Sequence, residues 1–248
     1  MIKMYALLPR RPDVAVAEFH RHWSTVHREL ALRIRRLRRY VQAHRVRPDL
    51  PGVAPLACEG IPEVWFDSLE SALGQREDPD YLDGARRDEP RFVEVAAIRR
   101  MLATPIAPTA EPPAGAAKAI LFAARRHTGA GAEPAVGDAG APGASPPVDS
   151  GEAAGSAAFA RAWSEMVAGD APAAAGAVAA AGAVADPHAP RAGAAPFDVA
   201  LELWWPDAAA LERGWAAGGG DLLNAVGAVA DRASCHGFRC EELRVIWP

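Results

Sequence analysis

The residues best able to do chemistry crowd into one stretch, Glu18-Phe19-His20-Arg21-His22-Trp23-Ser24-Thr25-Val26-His27. Histidine titrates near neutral pH, so an imidazole held in a pocket suits general acid–base work. Phe19, Trp23, Val26, His27, Leu30 and Ile34 fall at i, i+4, i+7, i+8, i+11 and i+15, one stripe of a 3.6-residue helix. His27 lies four residues beyond Trp23 and shares its face. It therefore goes where an apolar face goes. Either it enters the core and bonds a backbone carbonyl, or it enters a pocket as a proton-transfer group.

Metal chemistry at the same histidines meets a geometric obstacle. His20 and His22 point about 200° apart on an ideal helix, and His20 and His27 are about 10.5 Å apart along its axis, too far for one ion. The chain has no Gly-x-Gly-x-x-Gly, no P-loop, no Gly-x-Ser-x-Gly elbow and no His-Glu-x-x-His. Nucleotide and hydrolase readings therefore have no support.

A second set of polar groups lies further on. Arg39 to Val46 alternates as a strand does, placing Tyr40, Gln42 and His44 on one face. That stripe is either a polar wall opposite His27 or a row of ordinary hydrogen bonds. Glu63 precedes Trp65 and Phe66, and Glu202 precedes Trp204 and Trp205, on two further predicted strands. A buried carboxylate needs partners, and its recurrence points to ion pairing between two units. The candidate site is His27 and His44 for catalysis, with Phe19, Trp23, Tyr40, Gln42 and Trp65 holding a substrate.

The elements that must position these residues follow in order. Met4 to Leu8 reads as a strand ended by Pro9. Asp13 is a plausible N-cap for a helix running to roughly Arg36. That helix ends in Arg33, Arg35, Arg36, Arg38 and Arg39, a solvated basic face or an anion-binding patch. Strands over Arg39–Val46 and Ile61–Phe66 come next. A short helix over Ser68–Arg76, a helical stretch around Pro90 and a strand over Ile98–Thr104 follow. Strand, helix, strand, strand, helix, strand is the split βαβ pattern.

Four segments, in order, resemble the EthD family: Ile2 to Leu8, the Phe19-x-x-x-Trp23-x-x-x-His27 helix, Arg39 to His44, and Glu63 to Ser68. The resemblance covers residues 1 to about 105. It implies an α+β fold of ferredoxin-like βαββαβ units whose sheets pair into a dimeric α+β barrel. It also strengthens the proton-transfer reading of His27, because the family's helix carries a histidine there.

The pattern then restarts. Residues 106–116 form a Pro-rich, semi-rigid linker. Ala117-Lys118 aligns with Ile2-Lys3, and these are the only two lysines in the chain. Phe159 and Trp163 repeat the spacing of Phe19 and Trp23, Glu202 to Trp205 repeats Glu63 to Phe66, and Leu243–Trp247 ends the copy as Ile98–Leu102 ends the first. The chain thus reads as residues 1–105 and 117–248, two tandem ferredoxin-like units. The second copy is degenerate. Val167 stands at the His27 position, its second strand must come from Ala173–Asp186, and a Gly/Ala/Pro-rich insertion near 128–155 offers too little to bury and is expected to be disordered.

Residues 1–105 carry 18 Lys+Arg against 15 Asp+Glu, and residues 106–248 carry 9 against 16. A net charge of −4 leaves no footprint of a nucleic-acid binder. Cys58, Cys235 and Cys240 are an odd set without Cys-x-x-Cys spacing, and no basic-then-apolar leader precedes the first strand, so the expectation is a cytoplasmic protein with reduced thiols. The longest bland run, Ala171–Ala185, is too weakly apolar to span a bilayer. Taken together, these readings point to an enzyme without a bound cofactor that does proton-transfer chemistry on a hydrophobic, aromatic or polyketide-like small molecule. Dehydration, isomerisation, decarboxylation and cofactor-free oxygenation all belong to that class. The alternatives are a haem-degrading monooxygenase-like barrel and an accessory protein of a catabolic oxygenase system. The expected assembly is a monomer with an internal pseudo-dimer, or a higher homo-oligomer.

Overall fold

The computed structural model describes residues 1–126, 150–190 and 193–247. The first unit runs β1 (Ile2–Leu7), α1 (Val16–His22), a π-helical segment (Trp23–His27), α2 (Arg28–Ala31), β2 (Arg39–Val46), the two-residue β3 (Ala54–Pro55) and β4 (Gly60–Phe66). It continues through α3 (Leu69–Leu73), α4 (Pro79–Asp83) and α5 (Ala85–Asp88) to β5 (Arg99–Ile106). The second unit runs β6 (Ala117–Ala123), α6 (Ser150–Ala168), α7 (Asp170–Ala174), β7 (Ala179–Ala185), β8 (Val199–Trp205), α8 (Ala208–Val229) and β9 (His236–Ile246).

Eight long strands follow the order β2-β4-β1-β5-β7-β8-β6-β9, and β2 pairs with β9 to close the barrel. Closure removes both open sheet edges. The seams between units are antiparallel: β5 against β7, with Ala103 opposite Ala185, and β2 against β9, with Gln42 opposite Leu243. This is the predicted α+β architecture of two βαββαβ units in an intramolecular barrel.

Each strand has one face inside the barrel and one under the helices. Inside, Tyr5, Ile61, Met101, Ile120, Phe122 and Phe238 pack together. On the first unit's outer face, Met4, Ile34, Leu37, Val64 and Phe66 form one core cluster, and Phe19, Trp23 and Phe92 form another. The second unit's outer face is sealed by Trp163, Val167, Trp205, Leu211, Trp215 and Leu222.

The two lysines explain the paired glutamates. Lys3 Nζ binds Glu63 Oε2 at 2.6 Å and also binds Glu202. Lys118 Nζ binds Glu63 Oε1 at 2.5 Å, Glu202 Oε2 at 2.8 Å and Glu242 Oε2 at 3.0 Å. Each lysine therefore bridges carboxylates of both units. Burial, then the neighbouring Glu202 carboxylate, pushes Glu63 up to about 7.

The structure corrects the sequence reading locally. The last strand begins at His236, and Cys240 faces Lys118 as Ala103 faces Lys3, so Ile98–Leu102 matches residues 235–239 and not Leu243–Trp247. Asp13 does not cap the first helix. The cap is Ala15, and Asp13 pairs with Arg11 instead. The helix ends at Ala31 rather than near Arg36, and Arg35, Arg36 and Arg38 each hold an aspartate: Asp80, Asp78 and Asp67. Residues 150–155, expected in the disordered insertion, belong to α6. The rest of that insertion, residues 128–149, lies outside the described residues.

Candidate functional site

Alternation along β2 turns Tyr40, Gln42 and His44 towards the helix layer, as expected. Gln42 is fully buried and fixes the local hydrogen-bond directions. Its Nε2 donates to the Trp23 carbonyl at 3.0 Å and to Tyr40 Oη at 2.8 Å. A backbone carbonyl can only accept, so Gln42 Oε1 must point the other way and accept from His44 Nε2, 3.0 Å away. His44 Nδ1 is then the acceptor towards His20 Nδ1, at 2.9 Å. Both nitrogens of His44 are thus engaged, and its ring packs against Trp23 with centroids 4.4 Å apart. Burial, then the nearby His20, lowers His44 to about 3. The imidazole stays neutral across the physiological range.

The helix opposite is not a regular α-helix. Its central residues, Trp23–His27, are π-helical. Residues five apart diverge by about 140° on an α-helix but lie much closer in angle over a π turn, whose hydrogen bonds join residues five apart. His22 and His27 consequently reach the same carboxylate. His27 Nδ1 lies 3.0 Å and His22 Nε2 lies 2.9 Å from Asp88 Oδ2. Burial works to raise Asp88, but the hydrogen bonds from His27 and His22 outweigh it and hold the carboxyl below its ordinary range. An ionised Asp88 can only accept, so Nδ1 of His27 carries a proton. In the neutral ring Nε2 is then the basic nitrogen.

His27 forms part of the wall of a small chamber of about 60 Å³, with Met4, Ile34, Tyr40, Tyr81, Glu89 and Phe92 among its neighbours. The Tyr40 hydroxyl accepts from Gln42 and has no acceptor for its own proton among the described residues. Burial raises it to about 12, so it stays protonated. Tyr81 donates to Glu89 Oε1 at 2.7 Å, and Arg86 holds the other Glu89 oxygen at 3.0 Å. Met4, Gln75, Tyr81 and Arg100 also wall a larger cavity of about 350 Å³, which reaches Asp186, Pro190 and Phe197 of the second unit. The small chamber is the inner end of a two-part cleft between helices and sheet.

The structure sorts the sequence candidates into three groups. His27 and Tyr40 line the chamber. Phe19, Trp23, Gln42 and His44 stand behind it. Phe19 packs on Phe92, and Trp23 lies so close to Gly60 that a Cβ there would be 2.2 Å from the indole. Trp65 is a correction. It points to the opposite face of the sheet, into the barrel, because it is one residue out of phase with Val64 and Phe66. Asp88, Tyr81, Glu89, Arg100 and Gln75 were not read from the sequence. Their helices are short and irregular, and no periodic stripe marks them. An acidic side chain able to orient His27 was the one signal to seek, and 15 acidic residues in the first unit offered no way to choose.

Among the described residues no group of three or more His, Cys, Asp or Glu could hold a metal ion, and no helix is long and apolar enough to cross a membrane. Residues 11–96 match the EthD domain. No curated protein matches the chain. An anthrone oxidase-like protein of known structure superposes with a TM-score of 0.55 at 9% identity, over 98% of this chain and 92% of that one. A protein of Lactobacillus acidophilus NCFM assigned as a monooxygenase superposes with a TM-score of 0.49 at 7% identity, over 98% of this chain and 93% of that one. These likenesses are of fold.

Proposed function

We propose, from the premise that residues 11–96 are an EthD domain set in a two-unit barrel, that the His27 cleft is the active site of an enzyme acting on aromatic or polyketide-like molecules. The observation that carries this is the His27–Asp88 pair at the inner end of a cavity. Asp88 fixes the proton on Nδ1 and stabilises the imidazolium that forms, while Nε2 removes a proton from the substrate. The Tyr40 hydroxyl donates to the oxygen on which charge develops, as an enolate or phenolate forms. The larger cavity takes the rings, and Arg100 at the junction attracts an acidic substituent. His44 acts through Gln42, keeping Tyr40 oriented, rather than taking a proton itself.

A carbanion or phenolate formed in this way leads to isomerisation, dehydration, decarboxylation or reaction with O₂. The fold-level likeness to an anthrone oxidase-like protein favours the last, with a tricyclic anthrone as first substrate to try. There O₂ takes two hydrogens from the ring carbon and inserts one oxygen, giving the quinone and water. The same reading makes 1–105 the site-bearing domain, 106–116 a linker, and 117–248 a duplicated unit that lost its site.

The test is oxygen uptake and quinone absorbance with anthrone, without added metal or cofactor, for the native chain and His27→Ala. Loss of the base should cost about 10²- to 10⁴-fold. A folded His27→Ala protein within a few-fold of the native rate would overturn the assignment. An accessory protein would turn over nothing alone, and a haem protein would show a Soret band.

A further inference from the structure

The barrel has a second cavity, of about 460 Å³, on the face of the sheet away from His27. Its walls include three of the chain's seven tryptophans, Trp65, Trp204 and Trp247. Its floor is the buried ionic cluster, where Lys3 and Lys118 face Glu63, Glu202 and Glu242, and Arg244 pairs with Glu242 beside it. Each carboxylate of that floor already has a cationic partner.

The linker forms one wall of the mouth. Thr109 N donates to Ala180 O at 2.8 Å, Ala180 N donates to Thr109 Oγ1 at 3.0 Å, and Arg244 Nη2 donates to Pro112 O at 2.9 Å. Pro108 and Pro112 thereby become wall, beside Pro105 of β5. The cavity depends on the two units being one chain.

Arg39 stands at the rim. Its guanidinium lies 5.2 Å from the Trp247 ring centroid, with no carboxylate partner among the described residues. Its neighbours Arg35, Arg36 and Arg38 each hold an aspartate. An unpaired, stacked guanidinium above an indole-walled cavity of ligand size has the chemistry to bind a planar anion. We propose that the barrel mouth is a second small-molecule site, separate from the His27 cleft, that binds an aromatic carboxylate. The rings lie among the tryptophans, and the carboxylate is held on Arg39.

The probe is 2-naphthoate, with 2-naphthamide as its uncharged counterpart. Binding to the full chain is followed by tryptophan quenching and by calorimetry. The expected result is saturable quenching by the naphthoate, at least tenfold weaker for the naphthamide. Arg39→Ala should weaken naphthoate binding at least tenfold and Arg39→Lys less. Absence of binding at millimolar naphthoate would overturn the proposal. So would equal affinity for the amide, or a loss caused by Arg100→Ala and not by Arg39→Ala. If Arg39→Ala fails to fold, the acid–amide comparison on the native chain decides. Neither outcome bears on anthrone turnover, so this site and the His27 reading fail separately.

Discussion

Between helix and sheet, the two units of this barrel start from the same packing residues and end in opposite ways. Counting from Glu63 and Glu202, which hold equivalent places against Tyr5 and Ile120, strand β2 carries Tyr40, Gln42 and His44 where β7 carries Ala180, Gly182 and Val184. On the helices, Phe19 and Trp23 match Phe159 and Trp163, and His27 matches Val167. In the second unit the small strand residues let the helix settle onto the sheet. A Cβ on Gly182 would come within 2.9 Å of Val167 Cγ2 and 3.2 Å of Trp163 Nε1. The Trp163 indole donates directly to the Ala200 carbonyl at 3.1 Å. In the first unit Tyr40 and Gln42 hold the layers apart, and a chamber remains beside His27. Packing alone is satisfied by Val167 and Gly182. The polar set of the first unit is therefore extra to what packing requires, which is the asymmetry on which the proposed site rests.

The strongest way to break this comparison is Asp88→Asn. The amide keeps the carboxylate's volume but turns a pure acceptor into a group with N–H donors. His27 would then be drawn towards the tautomer with its proton on Nε2, and the base would be lost while the fold survived. With a substrate in hand, the rate should fall about 10²- to 10⁴-fold, and the urea midpoint should move little. Val167→His in the second unit should gain no activity, because helix and strand are in tight contact there, with Val167 Cγ2 only 2.9 Å from where a Cβ on Gly182 would lie. An Asp88→Asn enzyme at native rate would show that the pair is structural.

The next effect is on stability. Gly182→Ala should overpack the closed unit by about 1–3 kcal/mol in urea unfolding. Combining it with Val167→Ala, which frees the space the new methyl needs, should restore part of the loss, so the two changes should not add. Additive losses would mean that the layers are not in tight contact.

Much of this was legible in the sequence, and the gaps have a common cause. The period-2 stripe told which residues of β2 share a face, and Phe19, Trp23 and His27 are buried as read, but the π turn leaves Val26, read in the same stripe, 44% exposed. The lone lysines marked the same point in both units, and they proved to be the cross-braces of Glu63 and Glu202. Trp65 went astray because its strand has two apolar faces, one under helices and one inside a barrel, and composition does not tell them apart. Asp88 was missed because it reaches His27 through a π turn, and no propensity foretells a π turn. The basic helix end looked uniform, yet only the structure shows that Arg39 differs from its neighbours.

The smallest effect follows from His44, and it is one of pH. On β7, Ala180, Gly182 and Val184 cannot titrate, so of the two strand faces only that of β2 can respond to acid. His44 is lowered to about 3 in the fold, by burial and then by His20, against about 6.5 in the unfolded chain. Between those values the unfolded chain binds more protons, so stability falls as pH falls. The contribution is fully present above about 6.5 and drains away towards 3, at a slope of at most about 1.4 kcal/mol per pH unit. His20, also lowered by burial, adds in the same direction. Glu63 works against it, since its raised value favours the folded state towards acid, but Glu63 is untouched in a His44→Asn variant and cancels in the difference. The stability of the native chain minus that of His44→Asn, from urea unfolding at pH 7.5, 6.5, 5.5 and 4.5, should therefore shrink steadily below 6.5. Parallel curves would mean that His44 takes up its proton at no cost. The Gln42 network would then be too loose to hold Tyr40 in place.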